Sequence, residues 1–437
     1  MYLCRMDNYF SANVSEAKKR LLAWGNRFNV LALLDSNGLS QNPITTEFSR
    51  YQLILAADAE DEISTSKAPF DDLQPFVANR YAFGFLGYDL KNYIEHLSSS
   101  NHDGLGFPDM HFFTPRHIVA VDNEGSFCVL KSDQNHSLLL DEIMQSQHVP
   151  QAQKRVTVTS RISRDAYIDS VNQVKRHILR GDIYEMNFCQ EFYATDAEID
   201  PIATYLELSA ISPTPFACCY KLHDKFLISA SPERFMLKQG SKIISQPIKG
   251  TIRRGSTPEE DELLKTELRN NKKEQSENVM IVDLVRNDLS RTAKDGSVEV
   301  TELFGIYPFR QVFQMISTVE SEVCDGVSGV EVIRNAFPMG SMTGAPKVKA
   351  MKLIEELEST KRGLYSGAVG YFTPSGSFDF NVVIRSILYN QSNQYLSFSV
   401  GSAITTGSDP EAEYNECLVK AKAIMEVLDK KGRQQNN

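Results

Sequence analysis

Histidine is missing from the last 214 residues of this chain: all eight stand at or before position 223. That excludes imidazole-rich zinc and di-iron centres from the later sequence. Basic charge is short as well. Lysine and arginine number 46 against 56 acids, a net charge of −10, which argues against nucleic-acid binding, where a basic excess carries the affinity. No apolar run approaches the roughly 20 residues that cross a bilayer. The opening MYLCRMDNYF has no apolar core of signal-peptide length. The seven cysteines include no CxxC, and Cys218 and Cys219 are adjacent. Scattered and odd in number, they predict reduced thiols and a cytoplasmic location. There is no short repeat and no heptad run.

What is present is an ordinary globular composition, 42% hydrophobic and 23% charged over 437 residues, enough for two or three domains. Residues 12–24 read as an amphipathic helix and NVLALLDSNG (29–38) as a buried strand running into a turn. RYAFGFLGYDLKNYIEHL (80–97) reads as a strand, a tight passage at Gly84 and Gly87, then a helix. PRHIVAVD and GSFCVLKSD form a hairpin. Polar, Pro-containing sequence centred near Val149-Pro150 is the candidate boundary between a region 1–150 and a domain 157–432. The alternative is a surface loop between strands of one continuous sheet. Beyond it, Ser163 caps a helix, DIYEMNFCQEFYA alternates as a strand, and KIISQPIKGTIRRG reads as a strand ending in a Gly-Thr turn. Thr257-Pro258-Glu259-Glu260 starts a helix.

Two helical stripes carry paired acids. KEQSENVMIVDLVRND places Glu274, Glu277, Ile281, Leu284 and Asp288 on one face. EAEYNECLVKAKAIMEVL repeats the device with Glu413 and Glu416 leading into Lys420, Ala423 and Val427. Acids at i and i+3 point the same way. Facing each other, the two helices would gather four carboxylates, a set suited to a hard divalent ion, Mg²⁺ before Zn²⁺. The plainer reading is two exposed helical faces.

Other residues carry chemistry or a plain structural alternative. Glu233, in SPERF after an apolar strand, can have a raised pKa and donate a proton, or pair with Arg234. Lys249, in PIKGT, is a nucleophile if desolvated and otherwise a snorkelling surface lysine. GSMTGAPK (340–347) is a glycine-rich loop opening a helix, where free N–H groups bind anions. Its glycines are one residue too close for a P-loop. Arg385, read inside the strand NVVIRSIL, is a carboxylate clamp or an edge-strand ion pair. Lys420 is explained equally by an i,i+4 pair with Glu416.

Taken together, SPERF, PIKGT, KEQSENVMIVDLVRND, GSMTGAPKVKAM, SGAVGYF, VVIRS and EAEYNE resemble, in order, the chorismate-utilising enzymes. The match is dense over roughly 160–430 and looser before it, through LALLDS and FGFLGYDL. The resemblance implies an α+β fold of two stacked antiparallel β-sheets flanked by helices. It lies nearest the C4-aminating branch, because anthranilate- and isochorismate-forming members have alanine at the place of Lys249, and the former histidine at that of Asn278. It further implies that Lys249 attacks C2 of chorismate and Glu233 protonates the departing C4 hydroxyl. Ammonia then displaces the lysine to give 4-amino-4-deoxychorismate on the route to folate. Glu274, Glu277, Glu413 and Glu416 would hold Mg²⁺ directly or through water. Gly250, Thr251, Thr343, Tyr371, Arg385, Gly401 and Lys420 would grip the substrate. A glutamine amidotransferase subunit is the implied ammonia source. The position after Tyr184, often glutamine in relatives, is Glu185, a change that bears on water exclusion or ammonia entry. The rivals are an anthranilate-forming enzyme and a noncatalytic metal- or metabolite-binding protein.

Overall fold

Period-two burial organises the sheets. In the computed structural model, which describes residues 13–39, 51–65, 67–151 and 155–430, Val30 and Ala32 of the strand Val30–Asp35 face one apolar core. Leu31 and Leu33 face a second. The strands Tyr51–Ser64, Met110–Asp122 and Phe216–Leu222 divide their side chains between the same two cores. Such strands are apolar on both faces because both faces are covered.

Among the described residues all ladders between strands are antiparallel, and they form two arms. One runs from Tyr51–Ser64 through Val30–Asp35, Phe216–Leu222, Lys225–Ser231, Ser386–Asn390 and Tyr395–Ile404 to Glu185–Ala194. The other runs from Met110–Asp122 through Ala82–Leu86, Ala368–Phe372, Phe378–Asn381, Arg234–Gln239 and Lys242–Gln246 to Val312–Glu322. The arms face each other across aromatic side chains, as where Phe85 and Tyr220 meet edge to face at 5.3 Å. This is the expected α+β arrangement of two facing antiparallel sheets. Their hydrogen bonding is continuous, because Tyr51–Ser64 pairs with Met110–Asp122. Pairing also crosses the candidate boundary near residue 150, joining Val30–Asp35 to Phe216–Leu222 and Ala82–Leu86 to Ala368–Phe372.

Helices cover the outer faces. Val14–Gly25, Arg164–Leu179 and Pro410–Lys430 bury Leu21, Val171 and Ile424 in the second core. Asn13 and Ser163 cap the first two through their side chains. Gly84 lies within the strand Ala82–Leu86, and after Gly87 the chain forms only a 3₁₀ turn, Tyr88–Leu90, and one helical turn, Lys91–Ile94, shorter than the helix expected there. No helix among the described residues is long and apolar enough to cross a membrane.

Candidate active site

Two details of backbone chemistry turn Lys249 inward. Pro247 has no N–H to continue a ladder, so the expected single strand is two, Lys242–Gln246 and Ile248–Arg253. Gly250 then sits at φ +92°, and the register with Val312–Glu322 slips between Ile248 and Thr251. Gly250 and Thr251 therefore form a bulge within the second strand rather than the turn that ends it. A Cβ on Gly250 would stand 3.1 Å from Glu274 Oε2. The Lys249 side chain is only 10% exposed, which removes the surface-lysine reading. Its Nζ donates to Glu185 Oε1 at 2.9 Å. Burial favours the neutral amine, but Glu185, Glu277 and Glu233 outweigh it and hold Lys249 above the usual lysine range.

Glu233 links the strands Lys225–Ser231 and Arg234–Gln239 and is buried. Arg234 is not its partner: that guanidinium takes Asp379 in a two-pronged pair at 2.9 and 3.0 Å and also Gln246. Burial therefore pushes the Glu233 carboxyl up to about 7, against the nearby Ser341 hydroxyl and Lys249. A carboxyl of that strength carries a proton near neutrality and can give it up.

The acid-bearing helices are Lys272–Ser290 and Pro410–Lys430. Asn271 starts the first by accepting from the N–H groups of Lys273 and Glu274. The acids converge around Lys273, whose Nζ is 3.8 Å from Glu277 and 3.7 Å from Glu413. Glu413 is buried. Burial raises Glu277 to about 7, and raises Glu274 with Glu416 adding to the effect. Burial also acts on Glu416, but Lys420 prevails and holds it low. Among the described residues no three acidic, histidine or cysteine side chains stand close enough together to hold a metal as they are. The donor chemistry nevertheless fits a hard cation. The four glutamates offer only carboxylate oxygens, and Glu277 Oε1 is buried with no hydrogen bond, only the longer Lys273 ion pair.

Arg385 lies between Phe378–Asn381 and Ser386–Asn390 at φ +53°, not inside one strand. It is partly buried, and among the described residues its guanidinium has no ion-pair or hydrogen-bond partner. Burial lowers its pKa, with Tyr365 and Glu416 near enough to oppose that. Lys420 makes its helical pair with Glu416 at 2.6 Å and also donates to the Gly401 carbonyl at 2.9 Å. Gly401 opposes Cys189, and an added Cβ would lie 2.4 Å from Cys189 Sγ. Thr343 is buried and its carbonyl accepts from Asn187 N–H. Thr251 is exposed. Tyr371 stands apart: its ring packs 5.7 Å from Phe83 in the core between the arms.

Three residues gain importance from the geometry. Glu185 is the direct partner of Lys249, and no local spacing connects positions 185 and 249. Tyr365 stands beside Arg385 six residues before Tyr371. Lys273 sits among the acids, and its i,i+4 spacing to Glu277 was the one available signal.

The chain belongs to the chorismate binding enzyme family, whose model matches residues 13–426. It is 36% identical over 408 residues to the chloroplastic aminodeoxychorismate synthase of Arabidopsis thaliana, covering 87% of this chain but 43% of that protein. To aminodeoxychorismate synthase component 1 of Escherichia coli (strain K12) it is 35% identical, covering 80% of this chain and 77% of the relative. A solved structure of anthranilate synthase component I from Streptococcus pneumoniae TIGR4 superposes with a TM-score of 0.75 at 26% identity, over 88% of this chain and 94% of that one. The chain thus spans less than half the length of the plant relative.

Proposed function

We propose that this protein aminates chorismate at C4 to give 4-amino-4-deoxychorismate, the aminodeoxychorismate synthase reaction, in para-aminobenzoate and folate synthesis. One observation carries the reading: the amine of Lys249 is buried and held by Glu185, near the buried carboxyl of Glu233, which burial pushes up to about 7. Relatives of that name at about a third identity support it.

In this reading Lys249 forms a bond to C2 as the C4–O bond breaks, and Glu233 gives its proton so that the hydroxyl leaves as water. Two easier displacements replace one difficult one. Lys249 rests as an ammonium, so its proton must leave first; higher pH favours that loss only until it strips Glu233 of its proton, near 7, so the step has a pH optimum rather than a steady rise. Ammonia then attacks C4 and the lysine departs. Arg385 and Lys420 are the cations available to the two substrate carboxylates, the first with no competing partner. A magnesium ion held by Glu274, Glu277, Glu413 and Glu416, directly or through water, would reverse the sign of a pocket that otherwise repels a dianion. Ammonia would come from a glutamine amidotransferase partner. The six described cysteines are free thiols, which suits the cytoplasm.

The test is product identification with chorismate, Mg²⁺ and an ammonium salt, for wild type and Lys249→Ala. The expected product is 4-amino-4-deoxychorismate, abolished in the variant. Pyruvate with fluorescent anthranilate would overturn the choice. An unshifted intact mass after chorismate alone, with no turnover, would favour a noncatalytic binding protein.

A further inference from the structure

Glu185 is an acid where the proposed substrate is a dianion. It opens the strand Glu185–Ala194, pairs with Ala345, and is 1% exposed. Tyr184, the residue just before the strand, is 67% exposed, while Glu185 is turned inward. One carboxylate oxygen, Oε1, accepts from Lys249. The other, Oε2, is buried with no hydrogen-bond partner, a costly state for an anion unless something fills it. Holding Lys249 does not need the charge, because a glutamine carbonyl would accept from the same amine. Lys249 has Glu277 and Glu233 acting on it besides. A second oxygen, anionic and unoccupied beside the reacting amine, calls for a small cation that donates hydrogen bonds.

We infer that Glu185 Oε2 is the binding site for the nitrogen nucleophile, received as ammonium and deprotonated there. This rests on the amination reading above. Ammonium passes one proton to Glu185. The nitrogen lone pair of the resulting ammonia forms the bond to C4 while the C2–N bond to Lys249 breaks, its electrons staying on the lysine nitrogen. That nitrogen takes the proton held by Glu185 and leaves as a neutral amine. The new C4 ammonium then gives up a proton, which restores the Lys249–Glu185 ion pair seen in the structure. No oxidant or further reactant enters.

The experiment uses Glu185→Gln, which keeps shape and one acceptor and removes the charge. Adduct formation is followed by intact mass after chorismate without ammonia, and adduct release is then followed against added ammonium chloride at several pH values. With one anion fewer beside it, Lys249 in the variant still forms the adduct. The ammonium concentration for half-maximal release rises roughly tenfold or more, the scale of a lost charge-assisted contact. Release by the variant also climbs about tenfold per pH unit, following free ammonia, while wild type stays nearly flat. Unchanged ammonium dependence in the variant overturns the inference. So does a variant that forms no adduct, since Glu185 would then serve Lys249 alone. Absence of an adduct in wild type instead removes the amination reading itself.

Discussion

Glu233→Gln should stabilise the protein at alkaline pH while abolishing turnover. In the folded chain burial lifts this carboxyl from 4.5 to about 7. A raised carboxyl binds its proton more tightly folded than unfolded, so stability falls as pH climbs from the lower value to the higher. At about 1.4 kcal/mol per pH unit, that rise is worth ~3 kcal/mol by pH 8. Glutamine has the same shape and no charge to bury, so it avoids the cost. For 437 residues, ~3 kcal/mol moves Tm by roughly 3 °C. The assay is thermal unfolding of both proteins from pH 5 to pH 8 with a chelator present, which keeps divalent ions from altering the neighbouring acids. The variant should match wild type near pH 5 and melt higher by about that margin near pH 8. A gap that stays constant with pH would refute the claim that Glu233 is held protonated by burial.

Arg385→Ala should raise KM for chorismate about 10- to 100-fold, the scale of a lost hydrogen bond to a charged group, without lowering Tm, because the guanidinium has no protein partner to lose; a lowered Tm with unchanged KM would make its role structural. Gly401→Ala should cost ~1–3 kcal/mol by overpacking, read as a lower Tm. Cys189→Ala should not rescue it, since the added Cβ also lies 2.6 Å from the Phe188 carbonyl, and full rescue would show that the thiol alone was in the way. Lys273→Met should tighten Mg²⁺ binding several-fold in thermal-shift titrations, by removing a cation that neutralises Glu277 and Glu413. An unchanged titration would mean that Lys273 does not compete for the ion's place.

The acid-bearing helices were legible because helical periodicity puts i and i+3 on one face: Glu277, Ile281 and Asp288 are buried together, while on the second helix the buried face runs through Glu413, Cys417, Ala421 and Ile424 and leaves Glu416 exposed. The arrangement around them was not. Glu185 and Lys249 meet only because two distant strands are brought together by the sheet and the Gly250 bulge, and no local spacing encodes that. Arg385 reads as strand because VVI precedes it, yet its positive φ breaks the run, a backbone state composition does not announce. Tyr365 stands just before SGAVGYF, the motif that holds Tyr371, and only the packing shows which tyrosine stands by Arg385 and which by Phe83. The apolar run NVLALLD reads as a buried strand, while the ladders tying Val30–Asp35 to Phe216–Leu222 depend on topology.

Those cross-chain ladders bear on how the protein can be dissected. A gene cut at residue 150 would yield two polypeptides, one ending its β-structure without Phe216–Leu222 and the other lacking Ala82–Leu86 as a neighbour for Ala368–Phe372. Each fragment would expose raw strand edges prone to sticking to other chains. Co-expression, with the fragments annealing as they emerge from the ribosome, is the route by which a split version of this protein would be recovered.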